Sequence, residues 1–552
     1  MRHVPIAAVQ GPGLTSPLAG EDVRVEGVVT GRLGRGFFLQ DPEGDPAAAA
    51  SCGVFVFAPR ARPPLGAHVR VDGRVVDYVA EEGDRPTTQV ACERWDVLAE
   101  RGPEVPVTWL DPRRLDRDAQ DLARELNGLE GMLVGVDAGA VFVAPSNPFG
   151  DYVVLPDGLA APRTRHGGVR LDPAHPLRWY PSFRVRDYAR APRVNVGARL
   201  VAPVAGPLNY RAAAYQIAVQ GEVAVQAAAV APAVTRLVSD AHHVTVLTLN
   251  GFNLDARLED PARVQDPRRD VDDDLADGRF AMLARAVVEQ AGSPDIVALQ
   301  EIQDSDGAEV TPVIRADATY EHLVAAIRAH RGPAYRWADL PPSPGADGGQ
   351  PGGNIRNAFL YDPARVELVP GSLRRLGEEH PAFADSRKPL LARFRRPGQA
   401  AELAVINVHL ASKRHQQGPF APQRPGWDPR ADVRRDQAAL VAQAVTEMEA
   451  DGTPVYVTGD FNDFETSPTL AALIGDGRVN LAERIPADAR YDYNHRGVSQ
   501  ALMHGVASAP LAAAPGTAYE ILHGNELIGV QPGALGDKPT DHAYVVARLP
   551  LA

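Results

Sequence analysis

The stretch Val455-Tyr-Val-Thr-Gly-Asp-Phe-Asn-Asp463 decides the fold of the C-terminal half of the chain. It is an apolar run that ends at Gly459 and then places two carboxylates and the amide of Asn462 within four residues. A buried strand that ends in such a loop fixes catalytic oxygen ligands while leaving them reachable. Gly-Asp also ends ordinary turns. The stretch therefore predicts a site only together with similar strand ends elsewhere.

Four further predicted strand ends carry polar side chains of this kind. They are Asn250 after Val-Leu-Thr-Leu, Glu301 after Ile-Val-Ala-Leu-Gln, His409 in Ile-Asn-Val-His-Leu, and Asp541-His542 before Ala-Tyr-Val-Val. Carboxylate and amide oxygens are the ligands that hard divalent cations prefer, and neighbouring histidines can transfer protons. We therefore predict a Mg²⁺ or Mn²⁺ site built from Asn250, Glu301, Asp460, Asn462 and Asp541.

Length and composition limit the class of protein. The chain has 552 residues, which suggests about three or four structural units, and 45% hydrophobic with 23% charged residues is ordinary for a globular protein. The net charge of −13 argues against broad wrapping of nucleic acid, but it allows a local site where a metal ion and a few arginines meet phosphate. No stretch approaches the roughly 20 apolar residues of a membrane span.

The pattern of apolar residues divides the chain into three parts. Alternating residues with glycine-rich turns predict five short strands in a small Greek-key barrel over residues 1–105. A second β-rich module covers residues 106–234. It begins with a polar, helical-looking segment at 111–127, and its β-runs follow that segment. From His243 onward strands and helices alternate, which predicts a layered α/β domain over residues 235–552.

The two cysteines, Cys52 and Cys92, each lie in a short alternating run. Neighbouring strands can bring them together in a disulfide, or they can pack as two free thiols. The sequence leaves both arrangements open.

The order of Asn250, Glu301, His409, Gly459-Asp-Phe-Asn462 and Thr540-Asp-His542 closely resembles the endonuclease/exonuclease/phosphatase superfamily, which has the deoxyribonuclease I-like fold. Further stretches resemble its bacterial extracellular nuclease branch: Asp270 to Phe280, Gly352 to Arg356, Ser412-Lys413 and Gly459 to Phe464. Members of that branch carry β-barrel modules ahead of the catalytic domain. Val4 to Gln40 resembles their oligonucleotide-binding-fold-like opening.

This resemblance implies an α/β protein whose catalytic domain is a four-layer α/β sandwich, preceded by two small β-barrel-like modules. It implies that Glu301 and Asp541 hold the metal with help from Asn250, and that Asp460 and Asn462 position water and phosphate. It also implies that His542 is the general base, and that His409 contacts phosphate or acts as general acid. Arg356 and Lys413 are predicted substrate contacts, with solvated surface positions as the alternative.

One position departs from the family pattern. The branch usually reads Ser-Gln-Ala-Leu-Asp-His, and the aspartate orients the base histidine, whereas this chain reads Ser499-Gln-Ala-Leu-Met503-His504. A thioether cannot accept the charge-assisted hydrogen bond that fixes a histidine. We expect turnover weakened by up to about four orders of magnitude unless His504 or Asp492 substitutes. We also expect Met503→Asp to raise turnover.

Two other features carry weaker expectations. The acidic run Asp270 to Asp277 leaves Ca²⁺ open as an additional ion, but it lacks the spacing and glycine of a dedicated calcium loop, which favours a solvated loop. Phe37, Phe38, Phe55 and Phe57 alternate as core residues do, so we expect them to pack inside the first barrel rather than stack on bases.

The sequence therefore predicts a metal-dependent nuclease that hydrolyses DNA, with RNA as a further substrate. A phosphatase or phosphodiesterase for a lipid headgroup or small phosphate ester remains open, because the superfamily shares its metal site. A catalytically weakened binding homologue also remains open because of Met503. No protein partner is implied. The resemblance implies an extracellular or periplasmic location, whereas Met-Arg-His-Val-Pro-Ile at the start shows no signal peptide.

Overall fold

The computed structural model describes residues 1–475, 477–533 and 538–551. Alternating valines form the strands of its N-terminal module (residues 1–105). Strand β2 pairs with both β3 and β5, so β2, β3, β4, β6 and β5 form a closed ring. Phe37 lies in the core of this module, as expected, whereas Phe38, its neighbour on the same strand, is buried outside that core beside the partly buried Phe55. The elements are β1 (Arg2–His3), α1 (Ile6–Gln10), β2 (Asp22–Leu33), β3 (Gly36–Gln40), β4 (Gly53–Phe57), β5 (His68–Tyr78) and β6 (Thr87–Ala99).

Both cysteines of this module are free thiols, which settles the alternative left open by the sequence. Burial raises the pKa of Cys52 and that of Cys92 to about 11, so neither thiol is a reactive thiolate near neutral pH.

The middle module (residues 106–234) packs one amphipathic helix against a long path of strands. The strand order is β16-β13-β9-β10-β12-β15-β14-β8-β7. Its core includes Leu122 and Leu126 of the helix and a cluster of buried aromatic rings. The elements are β7 (Thr108–Trp109), α2 (Ala119–Asn127), β8 (Leu133–Val136), β9 (Val141–Phe142), β10 (Asp151–Leu155), β11 (Val169–Arg170), β12 (Ser182–Val185), β13 (Arg199–Leu200), β14 (Val204–Arg211), β15 (Ala214–Val219) and β16 (Val225–Gln226).

The C-terminal domain, whose strands span His243 to Pro550, contains two sheets packed face to face with helices outside. The first sheet has the order β19-β20-β18-β17-β31-β30 and the second β21-β23-β24-β25-β29-β26, with β22 beside β23. One core lies between the sheets, a second lies under α4 and α5, and a third lies under α6 and α7. This arrangement of helix, sheet, sheet and helix confirms the predicted four-layer α/β sandwich.

The elements of this domain run as follows in chain order. The first half holds β17 (His243–Leu254), α3 (Pro267–Asp270), α4 (Arg279–Arg285), β18 (Ile296–Ile302), α5 (Asp317–Ala329), β19 (Arg336–Ala338), β20 (Arg356–Tyr361), β21 (Glu367–Leu368), β22 (Arg374–Arg375) and β23 (Leu390–Arg395). The second half holds β24 (Glu402–His409), α6 (Ala431–Ala450), β25 (Val455–Asp460), α7 (Pro468–Ile474), β26 (Val479–Asn480), β27 (Tyr493–His495), β28 (Val498–Gln500), β29 (Met503–Ala507), α8 (Ala509–Ala513), β30 (Ala518–Leu522) and β31 (Tyr544–Pro550).

No helix in the described ranges combines the length and the apolar character that crossing a bilayer requires.

Candidate active site

The predicted site residues meet where parallel strands of the two facing sheets end. In the first sheet β17 and β18 run parallel and carry Asn250 and Glu301. In the second sheet β24 and β25 run parallel, and His409 is the register partner of Asp460. Because the carboxyl ends of parallel strands share one edge of a sheet, four chain segments deliver polar groups to one place.

Backbone conformation at these ends is specialised. Gly459 has φ +140°, and a Cβ there would lie 1.9 Å from the carbonyl oxygen of Val408, so only glycine lets β24 and β25 approach. Glu301 and Asn462 both have φ +52°, in the left-handed region that non-glycine residues rarely adopt. Such conformations cost of order 1–3 kcal/mol each and cluster at functional sites.

The carboxylates of buried Asp460 and partly buried Glu301 form the centre of the site with the buried His409. The Nε2 atom of His409 lies 3.6 Å from Oε1 of Glu301 and 3.7 Å from Oδ2 of Asp460. Asn250 donates from Nδ2 to Glu301 at 3.1 Å and to Asp460 at 3.4 Å. The Oδ1 atom of Asn250 accepts the backbone N–H of Phe252 at 2.8 Å. In this geometry Asn250 orients the two carboxylates, whereas the sequence predicted its oxygen as a metal ligand.

Asp460 and Asn462 form one turn. The backbone N–H of Asn462 donates to Oδ1 of Asp460 at 2.8 Å, and Nδ2 of Asn462 donates to the carbonyl of Leu410 at 3.1 Å. These bonds leave Oδ2 of Asp460 facing both histidines, because it lies 3.7 Å from Nε2 of His409 and 3.7 Å from Nε2 of His542.

Asp492 supplies the carboxylate that the sequence lacks at Met503. Oδ1 of Asp492 lies 3.0 Å from Nδ1 of His542, and both residues are buried. Oδ2 of Asp492 accepts the backbone N–H groups of Leu502 at 2.8 Å and Met503 at 3.0 Å. The ring of Tyr493 stacks on His542 with centroids 4.8 Å apart. Of the two substitutes considered for the aspartate missing at position 503, Asp492 is therefore the one that contacts His542.

His504, the other substitute considered for the missing aspartate, has a different position. It is fully buried, with Nδ1 3.1 Å from Nδ2 of Asn480 and Nε2 2.9 Å from the carbonyl oxygen of Asp463. His504 therefore supports the loop that follows Asp460.

The surroundings shift the pKa values of the two site histidines in opposite directions. Burial, and then the charge of Arg387, lower the pKa of His409 well below its usual value. Burial also opposes protonation of His542, but the hydrogen bond to Asp492 and the charges of Asp541 and Asp460 outweigh it and raise its pKa to about 10. A cation beside these carboxylates would offset their charge and lower the pKa of His542 again.

The donor set fits a hard divalent cation. Ligand atoms of Glu301, His409 and Asp460 lie within 4.8 Å of one another. Burial raises the pKa of Glu301, and the charge of Asp541 raises it further. Burial likewise raises the pKa of Asp460, against the opposing effect of His542. Buried carboxylates that crowd together in this way are stabilised as anions by a bound cation.

The two predicted cationic substrate contacts have other partners. Arg356 is buried, and its guanidinium donates to the carbonyl oxygens of Asn354 and Ile314 and pairs with Asp339 at 3.3 Å. The structure therefore makes Arg356 a link within the domain, contrary to the prediction. Lys413 pairs with Asp463 at 2.8 Å and lies 4.2 Å from the ring centroid of Phe464, which places it on the loop beside the site.

Arg387 is a buried arginine beside the site that the sequence did not predict. Its positive charge acts on both Glu301 and Asp460, and burial lowers its own pKa. Nη2 donates to the carbonyl of Leu410 at 2.9 Å, while Nε is buried without a hydrogen-bond partner in the described part of the chain. Arg387 lies in a loop before β23, and the sequence of that loop has no apolar periodicity from which its position could be predicted.

The acidic run is partly folded against the first sheet. Oxygens of Asp272 and Asp274 lie within 4.8 Å of Asp255, and Asp274 forms an ion pair with Arg279. Burial, with the neighbouring carboxylates, raises the pKa of Asp255 to about 9 and that of Asp272 to about 7. The run is therefore more buried than the predicted solvated loop.

Comparisons with known proteins agree with this architecture. Residues 251–543 match the family model described as "Endonuclease/Exonuclease/phosphatase family", and residues 114–229 match one described as a domain of unknown function. No curated protein matches the chain in sequence.

Several solved structures are similar to 56% of the chain. D. rerio TDP2, humanized by 14 mutations, is 17% identical with 98% of its chain covered and a TM-score of 0.35. Truncated Caenorhabditis elegans TDP2 is 16% identical with 98% covered and a TM-score of 0.35. The human Nocturnin catalytic domain with bound sulfate is 14% identical with 94% covered and a TM-score of 0.36.

The matching family model spans more than half of the chain and includes most of the strand ends that converge here. Members of this family are hydrolases that act on phosphoesters, generally with divalent metal ions. The chain belongs to the endonuclease/exonuclease/phosphatase family.

Proposed function

We propose that this protein is a metal-dependent phosphodiesterase that cleaves nucleic acid, with DNA as the principal substrate and RNA as a further one. The observation that carries the proposal is the contact of Asp492 with Nδ1 of His542, at 3.0 Å, while Nε2 of the same ring faces Asp460 at 3.7 Å. A histidine held in this way can take a proton from a water molecule at Nε2.

In the proposed reaction, a water attacks the phosphorus in line with the bond to the leaving oxygen. His542 accepts the water proton at Nε2 while its Nδ1–H remains bonded to Asp492. Asp460 and the amide oxygen of Asn462 orient the water and the phosphate. The bond to the leaving oxygen breaks, and that oxygen takes up a proton from solvent water. His409, which burial keeps neutral, is placed to contact the phosphate.

Glu301 and Asp460 would hold the divalent cation, with Asp541 contributing negative charge beside them. When bound, the cation would neutralise charge on the phosphate and on the leaving oxygen. Arg387 adds a second positive charge behind the two carboxylates.

A nucleic acid substrate is favoured by an aromatic side chain at the rim of the site. Phe252 is 43% exposed, although it follows Asn250 by only two residues and its backbone bonds to that side chain. A large exposed ring at a phosphodiester site offers a stacking surface for a base. This ring, which has the Arg279 guanidinium 5.6 Å from its centroid, supports nucleic acid over a small phosphate ester, and the contact of Asp492 with His542 argues against a weakened homologue.

The experiment is a cleavage assay on the full chain with plasmid DNA, single-stranded DNA, RNA and a chromogenic phosphodiester. Each substrate is incubated with Mg²⁺, Mn²⁺, Ca²⁺ or EDTA. We expect cleavage of DNA with Mg²⁺ or Mn²⁺, slower cleavage of RNA, and none in EDTA.

The matched control is His542→Asn, purified in the same way, because contaminating nucleases are the main artefact. Loss of a general base lowers the rate by about 10² to 10⁴-fold. Cleavage that persists in EDTA, or that is equal in the variant, would contradict the proposal. Cleavage of the chromogenic ester alone would support the small-ester alternative.

A further inference from the structure

One segment of the C-terminal domain faces the catalytic histidine on one side and the middle module on the other. This segment, residues 488–500, includes β27 and β28. On its inner side Asp492 bonds Nδ1 of His542 and Tyr493 stacks on the same ring. The carbonyl oxygen of Asp492 also accepts the backbone N–H of Ala543 at 2.7 Å. The position of the base histidine therefore depends on where this segment lies.

The outer side of the segment is bonded to the middle module along most of its length. Strand β11 of the middle module pairs in parallel with β28, matching Val169 with Val498, and completes a three-stranded sheet with β27. Nδ2 of Asn494 donates to the carbonyl of Val143 at 2.8 Å. The backbone N–H of Arg165 donates to the carbonyl of Asp488 at 3.0 Å.

Two further contacts fill the space between these bonds. Tyr491, which immediately precedes Asp492, is fully buried, and its hydroxyl bonds Nδ1 of His166. Gly497 has φ +88°, and a Cβ there would lie 2.6 Å from Val153 Cγ1 and 3.0 Å from Val143 Cγ2. The segment and the middle module are therefore in close contact on both sides of Asp492.

The chain that leads to His542 is held by the same module. The N–H of Val196 donates to the carbonyl of Leu527 at 2.9 Å, and the N–H of Gly529 donates to Oδ1 of Asn195 at 3.0 Å. Ser146 bonds Val530 twice, through its carbonyl at 3.0 Å and its hydroxyl at 2.7 Å. Asp492 thus lies within a segment that contacts the middle module, and His542 follows another such segment in the chain.

The other site residues have a different support. Glu301, His409 and Asp460 lie on β18, β24 and β25, which are inner strands of the two large sheets. Asp492 has no such strand, because it lies at the edge of a three-stranded sheet whose third strand belongs to another module. A displacement of about 1 Å at a reacting group can cost about 10²-fold in rate.

We propose that the middle module is a positioning element of the active site, which holds Asp492 against His542 through β11 and the contacts to Tyr491, Asn494 and Gly497. This inference rests on the proposed function for the role of His542. The module acts through Asp492 and does not itself touch the reacting atoms.

The test compares two glycine variants of the full chain. Gly497→Ala places a methyl group against Val153 and Val143 and pushes the segment off the module. The matched control is Gly139→Ala, which has nearly the same φ of +92°, but whose Cβ would meet only the side chain of Asp157, at 2.4 Å. Asp157 is an exposed residue of the same module and can rotate away.

We expect kcat of Gly497→Ala to fall about 10-fold to 100-fold with KM within about twofold, because the catalytic base moves while the phosphate contacts stay. Gly139→Ala should keep kcat within about twofold. A wild-type kcat in folded Gly497→Ala would overturn the proposal.

A second readout does not depend on activity. In ¹⁵N-histidine-labelled protein, the hydrogen-bonded Nδ1 proton of His542 gives a low-field signal, assigned by its loss in His542→Asn. We expect this signal to shift or disappear in Gly497→Ala and to persist in Gly139→Ala. If the wild-type chain cleaves no substrate, the proposed function is wrong. The inference about the middle module is tested separately, and an unchanged His542 signal in Gly497→Ala would overturn it.

If Gly497→Ala does not fold, the same two measurements are made on Asn494→Asp. That variant keeps the oxygen that accepts the N–H of Gly497 at 3.1 Å and removes the donor to Val143. A severalfold loss of kcat with a shifted His542 signal supports the proposal, and an unchanged kcat and signal overturn it.

Discussion

Among single residues, the hydrogen bond between Asp492 and His542 compensates for the methionine at position 503. Met503 contributes its backbone N–H to the same carboxylate, at 3.0 Å, so the two residues are parts of one arrangement. The carboxylate that contacts His542 thus comes from Asp492, directly before β27, and not from position 503 on β29. The methionine therefore does not imply a loss of catalysis.

We predict that Asp492→Asn lowers kcat by about 10² to 10⁴-fold with little change in KM. An amide can no longer stabilise the protonated histidine and favours the wrong tautomer, as in triads whose aspartate is replaced. Steady-state kinetics on the best substrate of the cleavage assay measure the effect. Asp432→Asn, at an exposed position on α6, is the control, and equal kinetics for the two variants would refute the role of Asp492.

Met503→Asp should not raise turnover, contrary to the expectation from the sequence. Met503 is fully buried in the core between the two sheets, so an aspartate there would bury a charge next to Asp492. We predict a drop of several degrees in Tm and a lower kcat, measured by thermal unfolding and kinetics. Met503→Leu, which conserves volume, should cost less than about 1.5 kcal/mol. A higher kcat for Met503→Asp than for wild type would contradict this prediction and would indicate that a side chain at position 503 can reach His542.

How far the sequence predicts single residues depends on where they lie. Five predicted site residues stand at ends of strongly apolar strands, and the structure brings their side chains close together: Asn250, Glu301, His409, Asp460 and His542. Asp492 was only one of two candidates, because β27 and β28 are three residues each and leave no periodicity to read. Arg387 reaches the site from a loop, and its contacts exist only in the folded chain.

Among the strands, β24 and β25 form the most constrained pair of the site. Their parallel register sets His409 beside Asp460, and Gly459 makes the close approach possible. The buried hydroxyls of Thr248 and Thr458 meet at 2.5 Å and connect β17 with β25 across the two sheets. The relative position of the sheets, and with it the site, is therefore fixed by polar as well as apolar contacts.

Gly459→Ala should destabilise the domain far more than an ordinary glycine substitution. A Cβ at Gly459 would lie 1.9 Å from the carbonyl oxygen of Val408, so β24 and β25 would have to separate. The control is Gly452→Ala, which has φ +75° and no atom within 4 Å of the added Cβ, and should cost about 1 kcal/mol. Thermal unfolding measures both, and a similar drop in Tm for the two variants would contradict this account of the glycine.

The layered arrangement of these elements was predictable because apolar periodicity changes from strand to helix and back along the C-terminal domain. The pairing of β11 with β28 was not, because it joins two-residue and three-residue strands about 330 positions apart. Local pattern carries no information on such long-range pairs.

For the whole chain, the contact between the N-terminal and middle modules contains a buried acid. The backbone carbonyl of Glu130 accepts the hydroxyl of Ser51 at 2.6 Å, and its carboxylate accepts the N–H of Thr88 at 3.2 Å. Arg85 lies 3.6 Å away. Burial raises the pKa of Glu130 from 4.5 to about 7, against the opposing charge of Arg85.

This acid should make stability fall as pH rises between about 4.5 and 7. In that range the folded protein holds a proton on Glu130 that the unfolded chain has lost, so raising the pH favours unfolding; below it both states are protonated, and above it both are ionised. We predict a smaller fall in Tm across this range for Glu130→Gln than for wild type. The control is Glu222→Gln, at an exposed position of the same module, whose Tm should change with pH as in wild type. If Glu130→Gln also showed the wild-type change of Tm with pH, the effect of the buried acid would be refuted.

The C-terminal domain also supplies an aromatic side chain to the core of the middle module. Phe420 is buried among Trp179, Tyr210 and Tyr215, with ring centroids 6.3, 6.4 and 5.0 Å away. During synthesis the ribosome completes the middle module long before it reaches Phe420, about 190 residues later than position 229. At roughly 5–20 residues per second, this interval is on the order of 10 to 40 s. We therefore expect the final packing of these aromatic rings to follow the synthesis of Phe420.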